Sequence, residues 1–122
     1  MKDLQWIVGK TIDAFYLKRD EHYNNNIVSI YLLINNKSLV LEINQETDEI
    51  QLTNFIHMDE NYKQELEFNN LFVNKKIISF WFPVNNLGYS DTFILGLDKF
   101  IPTHLFVSTT SHLNICLAKI IQ

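Results

Sequence analysis

The sequence predicts a mainly β protein, a β-rich α+β chain. About eight antiparallel strands form two four-stranded meander halves, packed as a sandwich or flattened barrel with one or two short helices. Three observations carry that reading. Apolar residues come in short alternating runs broken by Asn- and Gly-containing turns, the pattern of half-buried strands. Fifteen Ile, fifteen Leu and nine Phe against two Pro supply a core and exclude a solvated coil. The chain also repeats itself at an offset of 65 residues.

The elements follow in order. Lys10–Lys18 is β-branched and aromatic. Ile27–Ile34 comes next, then the tight turn Asn35-Asn36-Lys37, then Leu39–Ile43 with Leu39, Leu41 and Ile43 on one face. Asn suits such a turn because it tolerates positive φ. Gln45–Glu49 turns the chain again into Ile50–Leu52. Residues 55–70 read as a short helix or a structured loop, with Asp59 as candidate N-cap ahead of good helix formers. Four more strands are expected at Lys75–Phe82, Asp91–Leu97, Thr103–Thr109 and Leu113–Ile120. Pro83 and Pro102 fall at strand ends, where a missing N–H does least harm.

The repeat aligns Trp6–Leu17 on Leu71–Phe82 without gaps. Val8/Val73, Lys10/Lys75, Ile12/Ile77 and Phe15/Phe80 are identical, and Gly9 falls on Asn74. Gly and Asn are the residues most at ease in the left-handed region. The same offset brings Glu49–Leu52 onto Asn114–Leu117. Each unit is a short helix or turn, a Gly/Asn kink and four strands. The halves run from about residue 1 to 56 and 66 to 122 within one 1–122 domain, because a unit of four short strands is marginal alone.

Charge narrows the function classes. The net charge is −4, yet residues 42–67 hold eight acids and one lysine, hence −7. Arg19 is the single arginine, so direct nucleic-acid binding, which needs clustered Lys and Arg, is not expected. A basic amphipathic segment for a membrane surface is missing, and no apolar run reaches the roughly 18 residues of a span. The N-terminus turns polar at Gly9-Lys10, so no signal peptide is expected and the location read is cytoplasmic. An acidic window suits a basic partner, although taken alone it reads first as acids that keep a half-exposed sheet soluble.

No catalytic constellation emerges. His22, His57, His104 and His112 lack metal-site spacing, although a 103–120 hairpin could bring His104 to His112. Neither metal nor cofactor is expected. Cys116, the single cysteine, lies in the apolar run Leu113–Ile121 and reads as a buried, inert thiol. Three glycines leave no phosphate-cradling loop, and no Gly-x-Ser-x-Gly elbow occurs. The segment Trp81–Asp91 joins two strands through Asn85, Asn86 and Gly88. It is either a wide hairpin or a contact surface carrying Tyr89.

An acidic single domain, fourteen Asn and two Ala from an A- and T-rich gene, and no catalytic signature together resemble small bacterial immunity proteins of contact-dependent inhibition and related toxin systems. The likeness is one of type over the whole chain. It implies a non-enzymatic cytoplasmic protein that binds a cognate toxin domain, such as a basic nuclease. Glu46, Asp48, Glu49, Asp59 and Glu60 would then steer and hold that partner, with Tyr62 or Tyr89 as anchor. Two other classes stand beside it: a non-catalytic interaction module with another partner, and a small-ligand β-domain with an aromatic-lined cavity. Oligomeric state is left open.

Overall fold

Alternation decides the strands, and Asn and Gly decide where they stop. In Asn26–Ile34 the residues Ile27, Ser29, Ile30, Leu32 and Ile34 are buried, and Val28, Tyr31 and Leu33 between them are half-buried. Asn35 and Asn36 then both take positive φ, 49° and 67°, closing the expected two-residue hairpin. The computed structural model describes residues 3–54 and 58–118. Within them, a 3-10 turn Gln5–Ile7 precedes β1 Ile12–Asp20, β2 Asn26–Ile34, β3 Lys37–Ile43 and β4 Ile50–Thr53. Helix α1 Leu66–Phe72 then precedes β5 Ile77–Trp81, β6 Thr92–Leu97, β7 His104–Thr109 and β8 His112–Leu117.

All eight strands are antiparallel and belong to one sheet curled into a half-barrel, with order β4-β3-β2-β8-β7-β6-β5 and β1 on β2 as well. Of the two packings left open by the sequence, the curled single sheet is nearer the flattened barrel. The last two residues of the expected eighth strand lie outside the described residues.

The repeat is visible in the hydrogen bonds. Thr11 stands opposite Lys76, its own counterpart at offset 65. Ile12 N donates to Lys75 O at 2.9 Å, and Ile77 N donates to Lys10 O at 2.8 Å. Gly9 N donates to Ile77 O at 2.7 Å, and Asn74 N donates to Ile12 O at 2.8 Å. Exchanging each residue for its counterpart converts one bond of each pair into the other, so a pseudo-twofold axis passes through the Thr11–Lys76 bridge. Gly9 and Asn74 have φ of 83° and 69°, the shared kink the alignment predicted. The junctions away from the axis obey the same rule: Ile27 pairs with Leu113, and the matching register on the other side is made by Ile50 N donating to Ser90 O at 2.8 Å.

Apolar side chains from both halves meet in one core. Phe72, fully buried, enters it from α1, with its ring 4.5 Å from Phe15 of β1 and 5.4 Å from Phe106 of β7. Its counterpart Ile7 is also fully buried. Burying one such side chain contributes about 1.5–3 kcal/mol. Gly96 is fixed by close approach: a Cβ there would lie 2.6 Å from Ser79 Oγ and 2.7 Å from Lys99 O.

Three expectations are corrected. The helix does not start at Asp59, whose carboxylate instead accepts from Asn61 N in a turn. Residues 61–65 are held by the outer edge of β1, through the Leu17–Lys63 bridge and the Arg19–Glu65 ion pair, so the helix begins only at Leu66. Cys116 is exposed rather than buried, because Leu113 faces the core and strand alternation turns Cys116 the other way. His104 and His112 stay apart: His104 is opposite Leu117 and His112 opposite Thr109, the two ends of the same hairpin.

Candidate functional site: the four-turn end

A meander sends its first and third turns to the same end. The half-barrel places both halves' turns side by side there: residues 21–25, 44–49, 82–91 and 110–111. Hydrogen bonds join the last three. Asp48, at φ 59°, accepts from Ser111 Oγ at 2.9 Å through Oδ1, and its carbonyl accepts from Ser108 Oγ. Glu49 Oε2 accepts from Ser90 N at 3.2 Å, and Ser108 N donates to Asp91 O at 2.9 Å. The loop before β6 is braced from within, since Asn85 Oδ1 accepts from Leu87 N at 2.9 Å and Tyr89 N at 3.1 Å. Asn85 Nδ2 donates to Asp91 Oδ2 at 3.2 Å.

What these turns present is acidic and partly apolar. Residues 20–26, 44–49, 83–91 and 108–113 carry six carboxylates (Asp20, Glu21, Glu46, Asp48, Glu49, Asp91) and no lysine or arginine. Standing out among them are Leu87, 75% exposed, Tyr23, 70%, Val84, 62%, and Tyr89, 42%. A cavity of about 460 Å³ lies between the turns, lined by Asp20, Tyr23, Asn24, Gln45, Thr110 and Ser111 among others. Its walls are amide, hydroxyl and carboxylate groups together with the Tyr23 ring and the Val28 side chain.

The expected site residues divide into two groups. Glu46, Asp48, Glu49 and Tyr89 belong to the four-turn end. Asp59, Glu60 and Tyr62 sit beside β1: Lys18 Nζ lies 3.5 Å from Asp59 and 5.6 Å above the Tyr62 ring. Tyr62 is not an exposed anchor. It is 9% exposed, its hydroxyl is 2.7 Å from Ser29 Oγ, and burial raises its pKa. Glu60 is exposed. Asp20, Glu21 and Tyr23 were missed, because they lie before the acidic window and only the folding of β1 onto β2 brings their turn to this end. The offset of 65 was the signal that could have found Tyr23, since it puts the turn 21–25 in the position of the loop that carries Tyr89.

Arg19 is engaged internally. Its Nε and Nη2 donate to the two Glu65 carboxylate oxygens at 2.7 and 2.9 Å, and Nη1 donates to Asn25 O at 2.9 Å. The bidentate bond holds the Glu65 carboxyl below its ordinary pKa and raises that of Arg19. Among the described residues no three His, Cys, Asp or Glu side chains stand where they could hold a metal ion. His112 Nδ1 lies 3.2 Å from Thr110 O within its own turn, and His57 is outside the described residues. No helix of the described residues is long and apolar enough to cross a membrane.

A family model matches residues 1–121, the whole sheet and all four turns. The chain belongs to DUF6334, a family of unknown function. No curated protein and no solved structure matches it. The four-turn end of this DUF6334 chain is therefore read from its own chemistry.

Proposed function

We propose that the chain acts by binding, docking a basic protein partner on the four-turn end without chemistry of its own. The observation that supports this most is that turns without a lysine or arginine of their own carry six carboxylates, while the adjacent Arg19 is paired to Glu65, and that Leu87, Val84 and Tyr89 stand exposed on a hydrogen-bonded loop. Carboxylates of one sign raise the encounter rate with a positive surface, and exposed apolar side chains give the docked state area to bury. Because Asn85, Ser90, Ser108 and Ser111 already hold the turns, little ordering entropy is lost on binding. The partner class that the sequence resemblance suggests is a toxin domain, such as a basic nuclease. The chain is then a cytoplasmic immunity protein.

The test begins with the reading frame next to this gene in its source organism. If it encodes a protein ending in a basic domain, co-expression of this chain is expected to rescue growth from that domain. The double reversal Glu21→Lys with Glu46→Lys is then expected to slow association by tenfold or more at low salt, with a smaller effect at 1 M salt, where the Debye length is about 3 Å. Absence of rescue would remove the toxin partner. An association rate indifferent to both reversal and salt would remove the acidic end as the docking surface.

A further inference from the structure

The pseudo-twofold axis bears on the docking surface, because a duplicated fold duplicates its turns. The loop before β6 and the turn before β2 are counterparts, and each carries one exposed tyrosine three residues ahead of its strand: Tyr89 before Thr92 and Tyr23 before Asn26. Each leans on the far half by the same type of junction, Ser90 against Ile50 on one side and Ile27 against Leu113 on the other. Each also has carboxylates beside it: Glu49 and Asp91 near Tyr89, Asp20 and Glu21 near Tyr23. Between them stand Asp48 and Ser111, bonded to each other across the two halves.

We propose that the four-turn end is a bipartite docking surface with two equivalent half-sites, one centred on Tyr89 and one on Tyr23. Its occupant is a basic protein segment whose lysine or arginine side chains are flanked on both sides by apolar residues. The inference rests on the reading that a partner docks at this end, and adds that Tyr23 serves it as much as Tyr89 does. Charge complementarity selects the occupant: six carboxylates, with the neighbouring Arg19 already paired to Glu65, repel an acidic segment and leave a neutral one unsteered. The exposed rings select the flanks, since a tyrosine offers large contact area for two rotatable bonds.

The experiment titrates the full ¹⁵N-labelled chain with a synthetic peptide of five lysines carrying a Leu-Trp pair at each end, and with the same peptide in which one pair is Ser-Ser. Amides of residues 21–25 and 83–91 are expected to shift together with one affinity. Removing one flank is expected to weaken binding about tenfold, the scale of one hot-spot contact. Tyr23→Ala and Tyr89→Ala are each expected to weaken it by a similar factor. Both tyrosines are exposed, so both variants keep the fold, which their own spectra verify. Phe100→Ala, an 82% exposed ring on the turn between β6 and β7, is expected to change nothing. Shifts confined to 44–49 and 83–91, with Tyr23→Ala neutral, would overturn the second half-site while leaving docking at this end intact. No shift in either turn would overturn both.

Discussion

His104 is a buried titratable side chain in an aromatic setting, its ring 4.8 Å from Phe72 and its exposure 7%. Its Nδ1 lies 2.7 Å from Thr103 Oγ1, and that hydroxyl also accepts from Leu97 N at 2.8 Å and reaches Leu95 O at 3.1 Å. One hydroxyl proton cannot serve both Leu95 O and Nδ1, so the tautomer of the imidazole and the rotation of Thr103 are coupled. Burial lowers the His104 pKa. The Leu71 carbonyl opposes the shift, Lys75 adds to it, and Asp98 opposes it. With the unfolded value near 6.5 and the folded value lower, the unfolded chain binds the extra proton first. Stability from this group is therefore complete above about pH 6.5 and is lost as pH falls through the folded pKa. His104→Leu, which installs the residue type found at the counterpart position Leu39, is expected to reduce the loss of urea resistance between pH 7 and pH 5. An unchanged slope would show that other groups carry the acid sensitivity.

At the scale of elements, the two kinks permit a direct comparison. A Cβ on Gly9 would meet no atom within 4 Å, so the cost of a side chain there is one of backbone conformation alone. Gly9→Ala is expected to destabilise by about 1–2 kcal/mol in urea unfolding, the cost of an ordinary residue at positive φ. Gly9→Asn is expected to cost less, because Asn74 already occupies the equivalent kink at φ 69°. Equal losses for the two variants would contradict a purely conformational origin. The strands were legible for the same local reason. Alternation and Asn-rich turns act within a few residues, and all eight strands fall within two or three residues of their expected limits. The helix was misplaced because residues 61–65 obey partners 46 positions away, Leu17 and Arg19, rather than their own helix propensity.

At the scale of the molecule, the halves touch through narrow junctions yet share one core, with Phe15 of the first half stacked on Phe72 and Phe72 on Phe106 of the second. Separating them would expose apolar surface that neither half can cover alone. The chain is expected to unfold in a single transition. Each half carries one tryptophan, Trp6 and Trp81, so single-tryptophan variants report on the halves separately. Coincident fluorescence midpoints in urea, matching the far-UV circular dichroism midpoint, are the expected outcome. Midpoints that differ between the two probes would show halves that melt independently.

The sequence by itself determined the β class, the turns, the duplication at offset 65 and the imbalance of charge, since each is written in neighbouring residues or in direct self-similarity. Only the tertiary structure decided that the two halves make one curled sheet and that their turns gather at one end. It also decided that Asp20, Glu21 and Tyr23 join Glu46, Asp48, Glu49 and Tyr89 there, while Tyr62 is withdrawn against Ser29. The apolar run around Cys116 shows why. A continuous apolar stretch does not say which of its alternate residues face the core, and that was settled by the pairing of β8 with β7 and β2. Contacts across forty or sixty residues follow from how the sheet curls and where its edges close, and those closures depend on every strand at once.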